Sequence, residues 1–210
     1  MQAARGASLN SSDSTHPPAD DTGHPRIRPR TLAVFASIAV LGYVVDLASK
    51  VLAVAELTGR PPKPVIGDFL TLYLARNPGA AFSTGTSYTL VLSCLAIVAA
   101  LVVLWVARRL GSTGWAIGLG FLLAGILGNL TDRIFRSPGV LRGHVVDFLQ
   151  IPHWPIFNVA DMCITSAAVL IMVLAVVKNI GIGGERYARD APSAPGRAAA
   201  GPSPSETDGG

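Results

Sequence analysis

The 210-residue sequence predicts an all-α integral membrane protein, with four transmembrane helices and a small extracytoplasmic β element. Three observations carry this. Half of the residues are hydrophobic and only 14% are charged, with a mean hydropathy of +0.46, more apolar than a soluble domain of this length. Four apolar runs, residues 31–55, 88–107, 115–130 and 159–177, approach the length a bilayer core demands, roughly 20 residues at about 1.5 Å each. None of them alternates with a period of two, so they read as helices rather than barrel strands, the third being the shortest.

The flanks precede the helices in the argument because they set the topology. The net charge is +4 and the pI about 9.4. The basic residues do not form a nucleic-acid-binding stripe; they sit in short clusters beside the apolar runs, as topology signals do. Arg26, Arg28 and Arg30 precede the first helix, Arg108 and Arg109 follow the second, and Lys178, Arg186 and Arg189 follow the fourth. With four alternating helices all three clusters share one side, which places both termini in the cytoplasm. The bias is moderate, since Arg60, Lys63, Arg76, Arg133, Arg136 and Arg142 fall on the other side. Residues 1–30 and 181–210, rich in Ser, Pro, Gly and Ala, cannot bury enough apolar surface to fold and read as disordered cytoplasmic tails around a membrane domain of residues 31–180.

The first helix is apolar until Asp46, about fifteen residues and roughly 22 Å from Thr31, so Asp46 lies toward the outer leaflet. Lys50 is one turn further on the same face, where the two form either a structural ion pair or part of a site. In the outer loop, 60–64 is proline-rich and 69–75 reads as a short strand. Asn77, Pro78 and Gly79 then mark a turn, followed by small Ala80 and Ala81. The second helix carries no charge and reads as scaffold. In the third, Gly114 and Gly118 have a small-xxx-small spacing that suits tight helix packing.

At the outer end of the third helix come Asn129, Asp132 and Arg133. Pro138 and Gly139 mark a turn, and 144–151 reads as a strand holding Asp147. Asn158 is placed to cap the fourth helix, with Asp161 in its first turn, where the helix dipole favours a negative charge. Asp46, Lys50, Asn77, Asn129, Asp132, Arg133, Asp147, Asn158 and Asp161 therefore all fall at one level, the outer one. Cys94 and Cys163 lie inside helices and behave as small apolar residues.

Such a gathering of polar groups suits a membrane enzyme, a small transporter or an assembly scaffold. A transporter is expected to hold its charges near the midplane in broken helices, rather than at one edge. Two converging carboxylates can share a proton and act as base and acid in hydrolysis. No HExxH, paired-cysteine or GxSxG pattern is present, so neither a metal nor a serine nucleophile is expected.

The order of motifs resembles the bacterial lipoprotein signal peptidase (signal peptidase II) family. The matching blocks are Asp46-x-x-x-Lys50, Asn77-Pro-Gly-Ala-Ala-Phe82, Gly128-Asn129-x-x-Asp132-Arg133, Val145-Val146-Asp147-Phe148 and Phe157-Asn158-x-Ala160-Asp161. The resemblance implies an aspartic endopeptidase of the cell membrane. It would remove signal peptides from prolipoproteins by cutting before the diacylglyceryl-modified cysteine. Asp147 and Asp161 would be the catalytic pair, with Asp46, Lys50, Asn77, Gly79, Asn129, Asp132, Arg133, Asn158 and Ala160 binding substrate or supporting it. It further implies a small extracytoplasmic sheet around the site, no cofactor, membrane lipids and lipidated precursors as partners, and no nucleic acid. A monomer is expected.

Overall fold

The computed structural model describes residues 29–79 and 87–186. Helix α1 spans Pro29–Leu57, α2 Ser87–Ala107, α3 Thr113–Phe135 and α4 Val159–Met172, the last running into a π-helical turn, Val173–Val177. Four helices are thus long and apolar enough to cross a membrane. The strands are β1 (Lys63–Ile66), β2 (Leu70–Asn77) and β3 (Val145–Gln150), forming one antiparallel sheet in the order β1-β2-β3.

Helix α3 is the hub. It packs on α1, α4 and α2, and its apolar stretch is 56% buried, against 22% in each of the other three helices. Small residues permit this. At Gly125 a β-carbon would collide with the carbonyl oxygen of Ala160 and with Ile164 of α4, so only glycine lets the two backbones meet there. Gly114 and Gly118 face Leu174 and Ile171, the packing role expected from their spacing. Outward-facing Val40, Leu41, Val44, Leu95, Leu101 and Val169 are exposed, the apolar exterior of a bilayer-embedded bundle.

Two elements extend the sequence reading and one expectation needs correction. The third helix runs past its apolar stretch of 115–130 to Phe135, with Asn129, Asp132 and Arg133 in its outer turns, where each finds a partner. The proline-rich stretch yields β1. Pro64 pairs with Thr71 there, tolerated because β1 is an edge strand with no further neighbour to receive the missing N–H. The second tail does not begin at residue 181: Gly181 to Arg186 fold back on the turn between α2 and α3. The carbonyl of Ile182 accepts from Gly111 N and Ser112 N, and that of Ile180 from Trp115 Nε1. The other two strands sit close to their expected places, shifted by one or two residues at their ends. Arg26, Arg28, Arg189, Ala80, Ala81, Phe82 and most of both tails lie outside the described residues.

At one end of the bundle Thr31 Oγ1 of α1 donates to the carbonyl of Leu110, in the α2–α3 turn, so Arg30, Arg108 and Arg109 share that end. At the other end the sheet seals the helices. Val146 and Phe148 of β3 pack against Ala53 and Leu57 of α1, which by strand alternation leaves Asp147 on the opposite face.

Candidate active site

Asp147 sits in the middle of β3, opposite Ala75 of β2, and is 2% exposed. Its two oxygens accept from two amides: Oδ2 from Asn77 Nδ2 at 2.9 Å and Oδ1 from Asn158 Nδ2 at 2.6 Å. Asn77 is held in turn by its own turn. Gly79 N donates to Asn77 Oδ1 at 2.8 Å, and Gly79 has φ of 103°, a left-handed conformation that favours glycine. This fixes the Asn77 amide with its nitrogen toward Asp147. Burial pushes the Asp147 carboxyl up to about 6; the amide hydrogen bonds of Asn77 and Asn158 act against it.

Asp161 enters from the first turn of α4 and forms a reciprocal cap with Asn158. Asp161 N donates to Asn158 Oδ1 and Asn158 N donates to Asp161 Oδ2, both at 3.1 Å. The other oxygen, Oδ1, accepts from Asn129 Nδ2 at 2.9 Å. Asp161 is only partly buried, so of the two carboxylates it is the one within reach of solvent. Asn158 touches both: its oxygen caps the Asp161 amide while its nitrogen holds Asp147 and reaches Asn129 Oδ1 at 3.2 Å.

A second polar layer lies beneath. Lys50 is fully buried, and its ammonium lies 2.8 Å from Asp46 Oδ2, 3.2 Å from Asp132 Oδ2 and 3.0 Å from Asn129 Oδ1. Arg136 pairs with the other oxygen of Asp132. Two cations and two carboxylates therefore balance, which burial demands, because an unpaired charge there would cost several kcal/mol. Both carboxylates also bind backbone. Asp46 Oδ1 accepts from Ala160 N at 2.8 Å and Asp132 Oδ2 from Val146 N at 3.1 Å. The layer thereby ties the residue before Asp161 and the residue before Asp147 to α1 and α3. Gly128 makes room for it, since a β-carbon there would collide with the Asp46 carboxylate.

The structure thus brings together Asp147, Asp161, Asn77, Asn129 and Asn158 as one hydrogen-bonded group. Lys50, Asp46 and Asp132 form the layer behind it, and Ala160 contributes its backbone N–H. Arg133 lies beside them, partly buried; Nη1 is 3.4 Å from the Asn129 carbonyl, and Nε has no hydrogen-bond partner among the described residues. Arg136 is the participant that motif reading passed over. Its signal was present, a cation one helical turn after Asp132. Among the described residues no three His, Cys, Asp or Glu side chains converge as a metal-binding group. Two carboxylates joined by amides, one buried and one open to water, can divide base and acid work on an amide bond.

The chain matches the family model described as signal peptidase (SPase) II over residues 38–177. It is 48% identical over 162 residues to a lipoprotein signal peptidase of Mycobacterium avium, covering 76% of this chain and 89% of that one. A lipoprotein signal peptidase of Streptomyces griseus is 47% identical over 146 residues, 70% of this chain and 74% of that one. Among solved structures, a bacterial membrane enzyme determined in meso at 1.9 Å superposes with a TM-score of 0.62 at 25% identity, covering 69% of this chain and 93% of that one. The match spans α1 to α4 and contains every residue of both polar layers, and the chain belongs to the lipoprotein signal peptidase (signal peptidase II) family.

Proposed function

We propose that Asp147 and Asp161 are the catalytic pair of this membrane aspartic peptidase, which removes signal peptides from prolipoproteins. The observation that carries the assignment is the single Asn158 side chain bonded to both carboxyl-bearing residues, from β3 on one side and from the start of α4 on the other. The pair shares one proton. Asp147, whose proton affinity burial raises, holds it; Asp161, open to solvent, accepts a proton from a water as that water adds to the scissile carbonyl carbon. Asp147 then protonates the amide nitrogen, the C–N bond breaks, and the carboxyls exchange states through the next water. Asn77, Asn129 and Asn158 keep both groups oriented, while Arg133, with donor capacity to spare, faces the substrate backbone.

The scissile bond precedes a cysteine carrying a diacylglyceryl group, the substrate class that the resemblance implies. Bilayer lipids surround the exposed apolar helix faces, and the working unit is a monomer. The polar end lies at the extracytoplasmic surface with both termini in the cytoplasm. That orientation is supported by Arg30, Arg108 and Arg109 at the end opposite the sheet. Reporters fused at either terminus and within residues 136–141 test it, since an external terminus would reverse the site as well.

The decisive experiment is cleavage of a lipidated precursor by Asp147→Asn and Asp161→Asn. Each variant should lose about a hundredfold to ten-thousandfold, with the double variant scarcely worse, because the two act as a unit. Near-parental turnover by either variant, at normal abundance in the membrane, would refute the assignment.

A further inference from the structure

Between the last turns of α1 and the face of the sheet away from Asp147 lies a cavity of about 610 Å³, within the range of small-molecule sites. Its floor is apolar, made of Leu52, Ala53 and Leu57 from α1 and Leu72 and Phe148 from the sheet. No side chain of the two polar layers lines it, so it is separate from the peptidase site.

Three features indicate what enters it. Leu52 of α1 both lines the cavity and is exposed, as is Val45 two turns earlier on the same helix face, so a hydrocarbon chain can enter along α1 from the lipid side. The wall on the loop side is built from Pro61, Pro62 and Pro64, which carry no backbone N–H, so an apolar chain packed there desolvates no donor. The mouth carries Glu56, Arg60 and Lys63. Glu56 and Arg60 neutralise one another at 3.0 Å, while Lys63 has no carboxylate partner among the described residues. The rim therefore bears one net positive charge at the level where α1 leaves the bilayer.

We propose that this cavity is a binding site for an anionic phospholipid of the surrounding bilayer, one acyl chain lying between α1 and the sheet and the headgroup against Lys63. A lipid wedged there would brace the face of β3 opposite Asp147, because Phe148 lines the cavity and Asp147 is its neighbour in the strand. The proposal needs only the membrane embedding of the bundle, not the assignment of the catalytic pair.

The full-length protein is reconstituted into vesicles of equal phosphatidylglycerol and phosphatidylcholine and extracted in mild detergent, and the co-purifying lipid is counted by mass spectrometry. Phosphatidylglycerol should be retained over phosphatidylcholine. Lys63→Gln should lower that retention about fivefold, the effect of one cation near an anionic headgroup. Leu52→Trp, which fills the cavity from its open side, should displace lipid of both kinds. Both variants should still cleave a lipidated precursor in the vesicles, which certifies their fold. Equal retention of the two lipids, or parental retention by both variants, overturns the proposal. So does one-for-one displacement by the lipidated precursor, which would make the cavity a seat for the substrate's own diacylglyceryl anchor.

Discussion

Asn158 Nδ2 lies 2.6 Å from Asp147 Oδ1, while the oxygen of the same amide caps the helix that carries Asp161. One side chain thus fixes the distance between a strand and a helix terminus, and the two proposed catalytic carboxylates ride on those elements.

Capping and bridging can be separated at this position. Asn158→Ser retains a good N-cap, whose oxygen still receives the Asp161 amide, but it is too short to hold Asp147. Abundance should stay close to the parent's while kcat falls about a hundredfold, the effect of slightly misplacing a catalytic group. Asn158→Ala, which also loses the cap, should be less stable by about 1 kcal/mol in addition. Comparing cleavage rates and thermal unfolding of the two variants checks this. Equal rates in Asn158→Ser and the parent would remove the bridge from the account.

Lys50 is the charge on which the lower layer depends. Lys50→Met leaves Asp46 and Asp132 buried with only Arg136 to offset them, and breaking a buried pair costs about 3–5 kcal/mol. The variant should accumulate poorly in membranes. Adding Asp46→Asn, which removes one of the stranded charges, should recover part of the lost abundance. Immunoblots of membrane fractions measure both, and a fully abundant Lys50→Met would show that the layer is not stabilised as the ion pairs indicate.

Asp147 predicts a pH dependence of stability. Its carboxyl is raised from 3.8 to about 6, so the folded state binds this proton more tightly than the unfolded state. The stabilisation it contributes is complete below pH 3.8, declines as the pH rises, and is gone above about 6. Thermal midpoints measured across that window should fall more steeply with pH for the parent than for Asp147→Asn. Parallel curves would deny the shift.

The two parts of the C-terminal segment should behave differently. Deleting residues 191–210 should leave activity near normal. Truncation after Asn179 removes the carbonyls that receive Gly111 N, Ser112 N and Trp115 Nε1, at about 0.5–1.5 kcal/mol for each hydrogen bond. Thermal unfolding in detergent should place the shorter protein well below the longer one, and equal midpoints would make Gly181 to Arg186 dispensable.

The apolar runs by themselves determined the four helices, because a segment that cannot hydrate its backbone must bond internally wherever it goes. Local spacing likewise determined the Asn158–Asp161 cap and the Asp46–Lys50 pair, whose partners lie within one helical turn. Aromatic and β-branched composition next to turn residues located β2 and β3 to within two residues, but β1 was hidden by its prolines, which only an edge position makes acceptable. Tertiary structure alone decided the rest. Lys50 reaches Asn129, Asn77 reaches Asp147, and Asp46 reaches the Ala160 amide across long stretches of chain, through helix packing that no local pattern encodes. The sequence could bring nine polar residues to one level of a membrane. Which carboxyl-bearing residues turn toward Lys50 and which bond to Asn158 depends on how closely α3, through Gly125 and Gly128, lets α4 and α1 approach.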